Sequence, residues 1–123
     1  MIIWSGHQWG TMDRGPRPIS DLVAEEYAGR ILCLTYAQPL CVQEICERSG
    51  IPVAVAYRRV AALEAAGLLK CLRTEVASSG RRSKFYQCQV EMVRLTFREG
   101  RFEVEVQWKD RRSERYLPPL LRC

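Results

Sequence analysis

Residues 42–67 read VQEICERSGIPVAVAYRRVAALEAAG. Residues 42–48 are amphipathic, with Val42, Ile45 and Cys46 at helical spacing. Ser49-Gly50-Ile51-Pro52 breaks that pattern. Gly50 suits the left-handed backbone that ends a helix, and Pro52 can start the next one, where a missing N–H costs nothing. A second helix is predicted over 53–66, with Ala56, Val60 and Leu63 as its buried face, and Gly67 ends it. Two helices joined by a glycine-containing turn of about four residues form a helix-turn-helix, with the second in the recognition position.

Outward from this pair, the chain reads as one domain with loose ends. Its 123 residues are 47% hydrophobic, enough for a core, and 27% charged. The net charge of +5 is uneven. Residues 1–50 carry four basic and six acidic side chains, 51–90 seven and two, and 91–123 eight and six. The excess falls on the second helix and the residues after it, the footprint of a nucleic-acid binder or, more plainly, of a solvated face. Arginine outnumbers lysine sixteen to three, which suits bidentate phosphate and guanine contacts, although a GC-rich genome gives the same bias. No apolar run approaches the roughly 20 residues of a membrane span. The start MIIWSGHQWG lacks a basic n-region, so no signal peptide is expected, and Met12 offers a second start. A cytoplasmic protein without membrane contact is expected, its six cysteines thiols rather than a disulfide framework.

Residues 1–18 read as an irregular arm. Ser20-Asp21 is a capping signal for a first helix over 22–37, with a buried stripe of Tyr27, Ile31 and Leu34 flanked by Ala28 and Leu32. Pro39 stops it, and Cys41 stands where Ser or Thr commonly caps the next helix. LLKCLRTE (68–75) and KFYQCQV (84–90) read as strands, with turn chemistry at Ser78-Ser79-Gly80 and charge at Arg81-Arg82 between them. Three helices and a hairpin with a basic tip make an α+β fold, a winged helix-turn-helix over 19–90.

A second hairpin is expected over 91–108. Val93, Leu95 and Phe97 alternate with Arg94, Thr96 and Arg98, and Phe102, Val104, Val106 and Trp108 alternate with Glu103, Glu105 and Gln107. A turn at Glu99-Gly100 pairs Phe97 with Phe102, Leu95 with Val104, Val93 with Val106 and Arg94 with Glu105. Its apolar face demands a cover, from the first helix or a second chain. Residues 109–123 read as a charged, flexible tail.

At IPVAVAYRRVAALEAAGLLK (51–70) the chain resembles winged helix-turn-helix transcription regulators of the ArsR-like and MarR-like kind. EYAGRIL in the first helix (26–32) is similar to small archaeal members, and the resemblance covers about 22–90. It implies duplex DNA as partner, a homodimer, and transcription regulation through a helix in the major groove. The effector, if any, stays unknown. Carried across, Val53, Ala54, Tyr57 and Arg58 occupy the recognition face, with Arg59 and Ala61 beside them, and Arg81, Arg82 and Lys84 occupy the wing at 76–84. The chain departs from the pattern at Val53-Ala54-Val55, where the relatives commonly carry Ser, Thr or Gln. These side chains offer only thymine-methyl contacts, so readout falls to Tyr57 and Arg58 or to DNA shape.

No cofactor, metal site or enzymatic activity is expected. Cys41 and Cys46 lie about 140° apart on a helix and do not converge on an ion, and Cys33 and Cys46 read as core. There is no GxxxxGK[ST], HExxH or CxxC motif, and His7 is the only histidine. Cys71 and Cys88 form a cross-strand redox pair if the wing turns at Ser79-Gly80, whereas a wider loop shifts the register and removes it. The rival readings are a winged-helix protein-interaction module, which the apolar Val53-Ala54-Val55 favours, and a binder of structured RNA.

Overall fold

The computed structural model describes residues 19–116. The expected arm at 1–18 and the last residues of the expected tail, 117–123, lie outside them. The architecture is α+β, with four helices and two small antiparallel sheets. No helix among the described residues is long and apolar enough to cross a membrane.

The expected first helix is two. α1 (Ile19–Ala24) and α2 (Glu26–Thr35) are separated at Glu25, whose backbone turns extended at φ −82° and ψ 137°. Its carboxylate accepts the Ala28 N–H at 2.8 Å, so a side-chain cap replaces helix continuation. Ser20 and Asp21 therefore fall inside the first turn of α1 rather than before a helix. The buried stripe of α2 is Ala28, Ile31 and Thr35, rotated from the one expected, with Tyr27 and Leu34 only half-buried. Tyr27 stays at the rim because its ring carries the guanidinium groups of Arg30 and Arg59, each 5.8 Å away. Thr35 is tolerated inside because its hydroxyl donates to the Ile31 carbonyl at 2.7 Å.

α3 (Val42–Ser49) starts from Cys41, whose N–H donates to Glu44 Oε1 at 3.2 Å. It ends at Gly50, at φ 77°, with the Gly50 N–H donating to the Cys46 carbonyl at 2.8 Å. Pro52 caps α4 (Val53–Ala65), and Ala56, Val60 and Leu63 face inward as the pattern required. Gly67, at φ 82°, turns the chain, and the Leu68 N–H returns to the Leu63 carbonyl at 2.9 Å. Leu68 and Leu69 are buried, which seats the next strand under the helices.

β1 (Leu69–Val76) and β2 (Arg82–Cys88) pair antiparallel across a turn at 77–81. Leu40 bridges to Tyr86 on the far side of β2, through two hydrogen bonds of 2.9 Å. After Gln89 alone, β3 (Val90–Arg98) begins and pairs with β4 (Arg101–Trp108). All four expected cross-strand pairs of this hairpin are present, from Phe97–Phe102 to Val93–Val106. Glu99 and Gly100 both take positive φ, 55° and 78°, as a two-residue hairpin turn requires.

The tail departs from expectation. Ser113–Tyr116 forms β5, paired with β4 from Val104–Tyr116 to Gln107–Ser113. Trp108 Nε1 and the Tyr116 hydroxyl both donate to Glu114 Oε1, at 3.0 and 2.6 Å, which fixes this strand despite its charge. Val104, Val106 and Trp108 join the same buried cluster as Leu22, Ile31, Ile45 and Leu63. Half of the hairpin's apolar face is thus covered within the chain. On β3, Val93, Leu95 and Phe97 stay exposed.

Candidate nucleic-acid interface

With Ala56, Val60 and Leu63 inward, the opposite face of α4 presents Val53, Ala54, Tyr57, Arg58 and Ala61 to solvent. These positions share one arc of the helix. Tyr57 and Val53 are each more than half exposed. The wing residues Arg81, Arg82 and Lys84 are exposed too, Lys84 opposite Thr74 and Arg82 opposite Val76.

Two parts of this surface meet. Tyr57, Arg81, Arg82 and Lys84 line one cleft of about 360 Å³ together with Cys41, Val42 and Gln43 at the start of α3. No carboxylate is among the lining residues. The cleft therefore sets Arg81, Arg82 and Lys84 beside the first turn of α3, whose Cys41 N–H is already taken by the Glu44 carboxylate. Sequence spacing alone does not bring α3 to this cleft. Its signal in the sequence was Gln43, a polar residue in the first turn behind the Cys41 cap.

The cations differ in what already holds them. Among the described residues, Arg58, Arg81, Arg82 and Lys84 make no ion pair. Arg73 does, with Glu75 at 2.8 Å, while its guanidinium lies 4.3 Å from the Phe85 ring centre. Arg59, expected beside the recognition face, is turned away from it. Its Nε donates to Glu25 Oε1 at 2.9 Å, and both side chains are only about a fifth exposed, 20% and 22%. Partial burial alone raises the Glu25 pKa. The hydrogen bonds from Arg59 and from the Ala28 and Tyr27 N–H groups outweigh it and hold the carboxyl below its ordinary value. Arg59 is thus a structural cation that ties α4 to the start of α2.

The wing register settles the cysteines. A bulge between Cys71 and Arg73 and a turn wider than Ser79-Gly80 place Cys71 opposite Tyr86, and Cys88 opposite Leu69. The two do not form a cross-strand pair, and both are free thiols. Burial pushes the Cys88 thiol pKa up, away from the reactive thiolate.

No protein-family model matches the chain, and no curated protein matches it.

Proposed function

We propose that this chain is a winged helix-turn-helix regulator that binds duplex DNA and reads its sequence with α4. The observation that carries the reading is the cleft in which Arg81, Arg82 and Lys84 stand beside Tyr57, with no carboxylate among the lining residues. A phosphate group satisfies that chemistry. In this reading the cleft grips the backbone, α4 enters the major groove, and Arg58 and Tyr57 contact base edges while Val53 and Ala54 meet thymine methyl groups. Two chains read two half-sites, and the protein acts in the cytoplasm.

The test is selection of bound duplexes from a random pool, followed by affinity measurements across a salt series. Three wing cations on phosphates give a slope of log K against log salt near −3 per chain, at about −0.9 per contact. A flat salt dependence rejects the reading. It then favours protein docking, for which the exposed Val53-Ala54-Tyr57 surface is the supporting observation. Stronger retention of structured RNA than of any duplex DNA moves the same surface to RNA.

A further inference from the structure

Among the described residues β3 is an edge of its sheet, paired on one side only, with β4. A ladder turned by two residues alternates, so Arg94, Thr96 and Arg98 direct their N–H and C=O groups at β4. Those of Val93, Leu95 and Phe97 then face outward. The same alternation aims the Trp108 N–H away from β3, and it donates to the Arg112 carbonyl at 2.8 Å on the β5 side. The three residues with a bare backbone edge are also the three with exposed apolar side chains, 40%, 60% and 62% exposed. Leu95 and Phe97 lie in a stretch, 92–98, without proline or glycine. Arg94, which would discourage a neighbouring strand, is held by Glu105 at 3.1 Å. The devices that blunt an edge stand at the ends of this stretch, a bulge between Val90 and Met92 and the charge of Arg98, and the outward-facing backbone of Val93, Leu95 and Phe97 lies between them.

We infer that the β3 edge pairs antiparallel with the β3 edge of a second copy of this chain, about a two-fold axis at Leu95. Charge and pattern select this register. Centring on Leu95 sets Val93 opposite the second copy's Phe97 and Arg94 opposite its Thr96. Centring one residue to either side sets Arg94 against Arg94, or Arg94 against Arg98, like charges that destabilise a sheet. Phe97 is already fixed against Phe102, with ring centroids 4.8 Å apart. The pairing joins two three-stranded sheets into one of six with β5 at each outer edge, and because the two-fold contact uses the same strand of both copies it closes at two. The inference deepens the DNA-binding reading and rests on it only for the use of two chains.

The experiment measures mass in solution without DNA, over a concentration series, for wild type, Leu95→Lys, Leu95→Glu and an equimolar mixture of the two variants. Wild type is expected at twice the 14.2 kDa chain mass. Each variant alone is expected at one chain mass, since like charges meet on the axis, and the mixture returns to two. Rescue by mixing requires the two positions 95 to lie within ion-pair reach of each other across the interface. A wild type of one chain mass overturns the inference, and amide protection of Val93, Leu95 and Phe97 in that monomer assigns the edge to the chain's own residues 1–18 or 117–123. A mixture that stays at one chain mass overturns the register, and a mass that keeps growing overturns the closed pair. Failure of the DNA reading is separate: the variants would then dimerise on mixing yet show no salt-dependent duplex binding.

Discussion

On α4, about 100° of rotation per residue separates Arg58 from Arg59. That step sends one guanidinium to solvent and the other to Glu25. Their substitutions should part accordingly. Arg58→Ala should lose discrimination between duplexes, by about 1–3 kcal/mol if it makes a bidentate base contact. Arg59→Ala should keep that discrimination and lower folding stability, because it strands a partly buried carboxylate. Binding curves on preferred and scrambled duplexes, beside urea unfolding, check both. Glu25 adds a pH dependence. Its folded pKa is depressed, so its contribution is complete at neutral pH, begins to fade as pH falls below the unfolded value, and is lost once pH drops through the folded value. The stability gap between wild type and Glu25→Gln, measured by urea unfolding, should therefore shrink on acidification. This role was only partly legible. The acidic pair Glu25-Glu26 signals a helix start, but the choice of Glu25 as cap depends on Arg59, 34 positions later.

At the scale of elements, the two hairpins were legible to different degrees for a physical reason. In the second, seven apolar residues in strict alternation and a Glu-Gly turn specify one register, because a slip of one residue would turn every apolar side chain outward. In the wing, β1 is exposed for most of its length, so little apolar pattern fixes its register. The wide turn takes Cys71 off Cys88, and the bulge at 72 moves it one residue further, opposite Tyr86. β5 was missed because Ser113–Tyr116 carries no strand pattern of its own, and its place depends on the carboxylate of Glu114 reaching Trp108. The wing has its own expected outcome. Arg81→Ala with Arg82→Ala should weaken all duplexes alike and reduce the salt slope by about 2. A double variant that keeps its affinity but loses sequence preference would assign readout to the wing, through a narrow minor groove.

For the whole molecule, the α+β class, the helices α3 and α4 with their glycine turn, and the charge asymmetry are legible in the chain, while the covering of the second sheet is not. That sheet is tied in by contacts without sequence periodicity. The Tyr36 carbonyl accepts Lys109 Nζ at 2.9 Å and Gln87 Nε2 at 3.1 Å, and its hydroxyl donates to Glu91. Lys109 also lies 4.3 Å from the Tyr36 ring centre. Tyr36→Ala keeps the carbonyl but removes the ring beneath Lys109 and the hydroxyl bond to Glu91, and should loosen β4 and β5 against the helices. Hydrogen exchange should show faster exchange at Val104 and Val106 than in wild type, with the α3–α4 amides little changed.

Gln89 separates β2 from β3 by a single residue. Its N–H donates to the Leu68 carbonyl at 2.9 Å, and its carbonyl accepts the Lys109 N–H at 3.0 Å, so the junction is bonded to both sheets. In a dimer joined along β3, the strand that meets the partner is thus the direct continuation of the strand that carries Arg82 and Lys84. The assembly then works as a ruler, its span set by hydrogen-bonded backbone rather than by a linker that stretches. Duplexes whose half-sites are moved apart by two base pairs should lose the advantage of the second half-site, and a quantitative spacing series would trace how stiff that ruler is.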